Sequence, residues 1–293
     1  MTDIFGIAKS GLQAYKEGLA TTGQNIANVG NENYARREVN LTELKSPTSD
    51  VLSISSGKNY GVKVDGIVRA FDQFVDVQLQ KASSGLSFST SQTLVLEKLE
   101  QVLRPGEKTV ANKLQDLFAS LSTVSQDPSD LAARNIAVDA GRGVVASIKN
   151  VANGIKDLRE LVSDSIAGNL SDFNKTIELL ASVQTEIVGN AVPNRTPNNL
   201  LDQRDAYLKT LSEFADISVD YLKNNSLRIS LGTTGQGQTL VDGLNYKKLK
   251  LQNIDGASKI FIDDGPNSAS SIIQIQSGEI AGYMAADIAL TET

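Results

Sequence analysis

Side-chain chemistry at neutral pH usually starts from His, Cys or a specially placed pair of carboxylates. This 293-residue chain has no His and no Cys. The commonest metal ligand, the usual general base and every thiolate reaction are therefore missing. Carboxylates are plentiful, with 34 Asp and Glu against 28 Lys and Arg, but no pair stands in a recognisable catalytic context. The stretch Gly232-Thr233-Thr234-Gly235-Gln236-Gly237-Gln238 is glycine-rich like a phosphate loop. It lacks the Lys-Ser/Thr ending and lies between strand patterns, which makes it a hairpin turn. Asp263-Asp264-Gly265-Pro266-Asn267 combines carboxylates with a glycine, without the alternating ligands and terminal Glu of a calcium-binding hand. A solvated turn is expected there. No catalytic, cofactor-binding or metal-ligating residue is expected, and no cofactor.

Composition narrows the class further. The net charge of −6 offers no basic surface for nucleic acid. No stretch approaches the ~20 apolar residues of a membrane span, so no membrane insertion is expected. The first six residues lack a basic region followed by an apolar run, so a cleaved signal peptide is not expected. Aromatic residues make up 5% and Trp is absent. The cores must be built from aliphatic side chains.

The elements follow from hydrophobic spacing. Residues 3–28 carry the clearest pattern: Phe5, Ala8, Leu12, Tyr15, Leu19, Thr22 and Ile26 alternate steps of three and four. That is a heptad seam on a helix about 39 Å long. Gly6, Gly11, Gly18 and Gly23 each weaken it by roughly 1 kcal/mol relative to Ala. Five strong seam residues cannot hold 26 ordered residues by themselves, so the seam must meet another helix or another subunit. A turn cluster at 28–33 leads into extended structure over 38–70, with Val39, Leu41, Leu44, Val62, Val64 and Ile67.

From Phe71 the period becomes helical, weakening through the Ser/Thr stretch 87–93 and ending at Pro105-Gly106. Helices are expected over 109–125, 130–168, 170–190 and 199–215. The helix over 130–168 has a stripe of Val144, Ile148, Val151, Ile155, Leu158 and Val162. Short strands are expected within 216–275, and a further helix begins at 277. Arg204 falls on the stripe Leu201, Arg204, Leu208, Leu211, where a buried charge needs a partner. The fold class is mainly α: a long-helix bundle or coiled-coil body with a small antiparallel β subdomain. The divisions are 1–35, a helix and turn for assembly; 36–215, the helical body with a short β segment near 38–70; 216–275, the β subdomain; and 276–293, the start of another helix.

Several blocks carry a family resemblance. Ser10-Gly11-Leu12, Asn25-Ile26-Ala27-Asn28 and Tyr34-Ala35-Arg36 resemble the N-terminal signature of flagellar rod, hook and hook-associated proteins. Asn31 stands where that group usually has Thr, and Asn33 where it usually has Gly. Asn tolerates the left-handed backbone better than any other side-chain-bearing residue. Gly61-Val62-Lys63-Val64, Ile67, Arg69 and Asp72 resemble the group's next block. Pro197-Asn198-Asn199-Leu200-Leu201-Asp202-Gln203-Arg204-Asp205 and Ser277-Gly278-Glu279-Ile280-Ala281-Gly282 are similar to stretches of one member group, the FlgK-type hook-associated proteins.

That resemblance implies a structural subunit joining hook to filament. Implied partners are copies of itself in a ring, the hook protein, the second junction protein and the flagellar export machinery. It implies delivery unfolded through a type III channel to an extracellular appendage. Members of the group continue to a C-terminal helix that pairs with the N-terminal one, so a fragment or an unusually short member is expected here. Implied assembly-interface residues are Phe5, Leu12, Tyr15, Leu19, Ile26, Asn28, Tyr34 and Arg36; implied structural residues are Asn199, Asp202, Arg204 and Asp205. Two other readings are a rod or hook subunit, and a surface carbohydrate-acting hydrolase using two carboxylates.

Overall fold

The computed structural model describes residues 4–44, 61–103, 109–189, 197–232, 234–254, 257–263 and 272–292. The expected stop at Pro105-Gly106 and most of the loops expected at 57–61, 193–197 and 263–267 lie outside them. Six helices and three small antiparallel sheets are described. The chain is mainly α, as its spacing predicts, and it folds as two compact units that are each discontinuous in sequence.

The first unit comprises residues up to Lys81, Lys175–Leu211 and Ile217–Tyr246. It opens with α1 (Ile4–Ala27) and the hairpin β1 (Arg37–Glu43) and β2 (Val62–Arg69), which pair antiparallel with a bulge at Asn40/Leu41. It includes the start of α2 (Gln73–Leu103), the end of α4 (Leu131–Gly189) and most of α5 (Asn198–Phe214). Asp72 opens α2 by accepting from the backbone N–H groups of Phe74 and Val75 at 2.9 and 3.3 Å. Val183, Ile187 and Leu201 form a buried cluster against Leu200 and Tyr207.

The unit's own sheet has the order β3 (Ile217–Tyr221), β4 (Leu227–Leu231), β5 (Thr239–Asp242), β6 (Asn245–Tyr246). Leu227, Ile229, Leu240 and Val241 are fully buried. β4 and β5 are antiparallel partners across the glycine-rich turn, with Leu231 donating to the Gln238 carbonyl at 3.0 Å. The turn is a hairpin connection, not a strand-to-helix phosphate loop.

The second unit comprises Ala82–Asn174, Ser212–Asp216 and Lys247 onward. It holds most of α2 and α4, α3 (Val110–Gln126), a sheet of β7 (Lys248–Ile254), β8 (Ala257–Asp263) and β9 (Ile272–Ile273), and α6 (Glu279–Glu292). The segment read as one β region thus forms two sheets, one in each unit. Thr109 caps α3 through Asn112 N–H at 3.2 Å, and Asp130 caps α4 through Ala132 N–H at 2.8 Å.

One helix boundary differs from the sequence reading. The helices expected at 130–168 and 170–190 are one 59-residue helix, α4. Gly168 does not break it because the buried stripe Leu158, Val162, Ile166, Leu170, Phe173, Ile177, Leu180 runs through in phase. Ile148 is off that stripe and half exposed; Ser147 is buried instead. The Ser/Thr stretch 87–93, where the helical pattern weakens, lies within the single helix α2.

Small residues in that stretch let α6 come close. A Cβ on Gly282 would lie 2.5 Å from the Phe88 carbonyl oxygen and 2.0 Å from Ser91 Oγ. Ser91 Oγ donates to carbonyls of its own helix and lies 3.2 Å from the Glu279 carbonyl oxygen. Gly278, at φ +91°, is equally fixed, since a Cβ there would lie 2.5 Å from Ala215 N. Gly282→Ala should lower stability by about 1–3 kcal/mol through overpacking. Gly168→Ala, where a Cβ meets nothing within 4 Å, should raise it by about 0.5–1 kcal/mol. Urea denaturation of the two variants checks both signs.

Candidate functional site

α1 divides its residues between two faces about 140° apart at 100° per residue. One face carries Ser10, Ala14, Gly18, Thr21 and Asn25. Ala14 and Thr21 are buried, and the face lies on the β1–β2 hairpin. Small side chains let the helix approach the strands. Ser10 Oγ accepts from Val62 N–H at 3.3 Å. Near the other end of α1, Asn25 Oδ1 accepts from Arg37 N–H at 3.0 Å and Asn25 Nδ2 donates to Arg37 O at 2.9 Å. Tyr34 Oη also donates to Asn25 Oδ1, at 2.9 Å.

The other face is the heptad seam. Phe5, Leu12, Tyr15, Leu19 and Ile26 are between 68% and 83% exposed. Such residues, in register over six turns, form one apolar strip. A hollow lined by Thr22, Ile26, Asn28, Val29, Tyr34 and Arg36 continues it at the C-terminal end of α1. The structure therefore brings Ile26, Asn28, Tyr34 and Arg36 together. Tyr34 is half-buried and held within the chain, while Arg36 is exposed and pairs with Glu38.

On α5 lies a buried charged node. Asp202 pairs with Arg37 at 3.2 Å and Arg69 at 2.7 Å, and lies 3.4 Å from the Ala35 backbone nitrogen. Asp205 pairs with Arg69 at 2.6 Å and receives Arg204 Nε and Nη2 at 3.0 and 2.9 Å. Each guanidinium also stacks on a ring: Arg37 on Tyr34 at 4.9 Å, Arg69 on Phe71 at 5.3 Å and Arg204 on Tyr221 at 5.0 Å. Arg204 is 4% exposed, so its charge is compensated where the stripe position requires.

Asn199 is exposed; its neighbour Asn198 is buried and donates to the Ile67 carbonyl at 2.7 Å. Asn198, Arg37 and Arg69 were not singled out as site residues from sequence. A signal for Arg37 was available, because the second of two adjacent arginines in a strand faces opposite to the first.

Asp76, on α2, faces this node. Burial first, then the Asp205 carboxylate, push its carboxyl above the ordinary value of 3.8, while Arg204 and Arg69 pull it down. Burial, reinforced by Asp205 and Asp76, likewise keeps the Tyr221 phenol protonated well above its usual range. A carboxyl with a raised folded pKa stabilises the fold below pH 3.8, and that contribution is lost as pH rises through the folded value. Asp76→Asn removes the cost of charging. Its melting temperature should match the parent near pH ~4 and exceed it increasingly toward pH ~7. Paired melts across that range check the sign.

No group of His, Cys, Asp and Glu suited to hold a metal ion occurs among the described residues. No helix there is long and apolar enough to cross a membrane.

Residues 96–292 match the family model described as the flagellar hook-associated protein FlgK helical domain. The chain belongs to the FlgK family of flagellar hook-associated proteins. Flagellar hook-associated protein 1 of Escherichia coli K12 is 27% identical over 251 residues, covering 85% of this chain and 45% of that protein. The Bacillus subtilis protein of the same name is 26% identical, covering 94% of this chain and 58% of its own length. The chain spans about half the length of the curated relatives it matches. A solved structure, the flagellar hook junction protein FlgK from Burkholderia pseudomallei, matches with a TM-score of 0.63 at 24% identity, over 72% of this chain and 38% of that one. It shares the FlgK-type fold: long helices with small antiparallel sheets.

Proposed function

We propose that this chain is a structural subunit of the bacterial flagellum that joins hook to filament. Its α1 seam is the contact with neighbouring subunits. The observation that carries the reading is that seam: a heptad of large apolar residues stays exposed although its helix is folded and anchored. Leaving it in water is unfavourable by roughly 25 cal/mol per Å², and a neighbouring helix with matching spacing removes that cost. The neighbours in this reading are copies of the chain in a ring, the hook protein and the second junction protein. Phe5, Leu12, Tyr15, Leu19, Ile26 and Asn28 form the contact, with Arg36 at its rim. The segment 1–35 is the assembly division of the chain, which reaches the appendage through the flagellar export machinery without a cleaved signal peptide. Catalysis has no part in this reading. The reading is tested with a single cysteine at Tyr15, in a sequence that has no other. In intact flagella, Tyr15→Cys should resist a soluble maleimide and cross-link to a neighbouring subunit carrying a partner cysteine. Full labelling in intact flagella, equal to that of the free chain, would overturn it.

A further inference from the structure

We propose that Asp202 is a positioning residue for assembly: acting through Arg37, it sets the direction in which α1 presents its apolar face. The inference rests on the assembly role argued above.

Arg37 does two things at once. Its backbone N–H and carbonyl are both taken by Asn25, which fastens α1 to β1. Its side chain is taken by Asp202, which fastens β1 to α5. The path from the C-terminal end of α1 through β1 to α5 therefore runs through Arg37, beside a second path in which Ser10 meets β2 at Val62 and β2 is tied to α5 by Arg69 and Asn198. Asp202 holds the second strand too, through Arg69, and lies beside the turn through Ala35 N. Its described partners all lie on the segment that α1 rests on, and all but the Arg69 pair come from within three residues of one another. Arg204 differs: its bonds are to Asp205 on its own helix and its stacking partner is Tyr221 on β3. It fastens α5 to the sheet, and its tie to the hairpin that carries α1 is indirect, through the Asp205 carboxylate that it shares with Arg69.

A two-stranded hairpin is marginal by itself and takes its orientation from what it is pinned to. The lever is long. Phe5 lies 20 residues from Asn25, about 30 Å along the helix. A tilt of about 10° at the Asn25 corner moves the Phe5 end by about 5 Å, close to one helical turn. Heptad packing inserts each seam residue between four residues of its partner, so such a displacement puts the seam out of register. A charge pair with a second pair beside it narrows that tilt, because each pair restricts the other's geometry.

The free chain tests this. Glu17→Cys on α1 and Gln203→Cys on α5 are exposed positions in a sequence without cysteine, so they take two spin labels cleanly. Pulsed dipolar spectroscopy should give one narrow distance distribution. Asp202→Asn, which keeps the shape and removes the charge, and Arg37→Met should each broaden it at least twofold. Arg204→Ala should lower the melting temperature yet leave the width unchanged. In cells, Asp202→Asn should reduce the number of attached filaments at least tenfold. Unchanged widths in both Asp202→Asn and Arg37→Met would overturn the proposal, as would equal broadening in Arg204→Ala, which would mark general loosening. A broadened distribution with normal attachment would overturn the assembly reading itself.

Discussion

Leu19→Asp in α1 should leave the melting temperature of the free chain unchanged and abolish attachment of filaments. Leu19 is 76% exposed in the chain alone, so an aspartate there stays solvated and costs nothing beyond a small propensity term. In a seam contact the same carboxylate would lose its water without gaining a partner, a cost of several kcal/mol at each copy. Leu12→Asp and Ile26→Asp should behave alike. Ala14→Asp is the control. Ala14 is on the buried face against the hairpin, so that substitution should lower the melting temperature of the free chain as well. Motility complementation beside thermal melting separates the two faces. A clear drop in melting temperature with Leu19→Asp would mean that the seam is already covered within the chain.

The second large effect is in the node. Asp205→Ala should destabilise the chain by about 3–5 kcal/mol, because it leaves a buried arginine without its counter-charge. Arg204 has both guanidinium bonds to Asp205 and is 4% exposed; Arg69 retains Asp202. Arg204→Ala should cost less, about 1–3 kcal/mol, since Asp205 keeps its 2.6 Å pair with Arg69. The double variant should cost less than the sum of the two, by an amount a double-mutant cycle reads directly. Urea denaturation of the three variants tests the order. Equal, small effects would mean that the node contributes little beyond filling space.

Much of this was written in residue spacing. The heptad of α1 was legible because large apolar residues three and four apart can only share one face of a helix. Asp127-Pro128-Ser129-Asp130 offers both Ser129 and Asp130 as a cap for α4, and the fold uses Asp130; the buried state of Arg204 was legible from its place between Leu201 and Leu208. Glycines and serines misled. The Ser/Thr stretch of α2 read as a weakening of the helical pattern and residues 168–170 as the gap between two helices, and tertiary packing overrode both. In α2 the small residues are the seat for Gly282, a reason no local window contains.

Family membership, the mainly α class and the lack of His and Cys chemistry were set by the sequence itself, because motif order, periodicity and residue type are local properties. Which face of α1 stays exposed was decided only in three dimensions. The apolar seam was the stronger local signal, yet the helix docks through Ser10, Ala14, Thr21 and Asn25, whose small size and hydrogen bonds suit close approach to a strand pair. The node was equally hidden. Arg37, Arg69 and Asp202 are up to 165 residues apart in the chain, and each taken singly is an ordinary charged residue. Only the fold turns them into a buried set, because a charge in a dry interior keeps its place when an opposite charge is brought within about 3 Å.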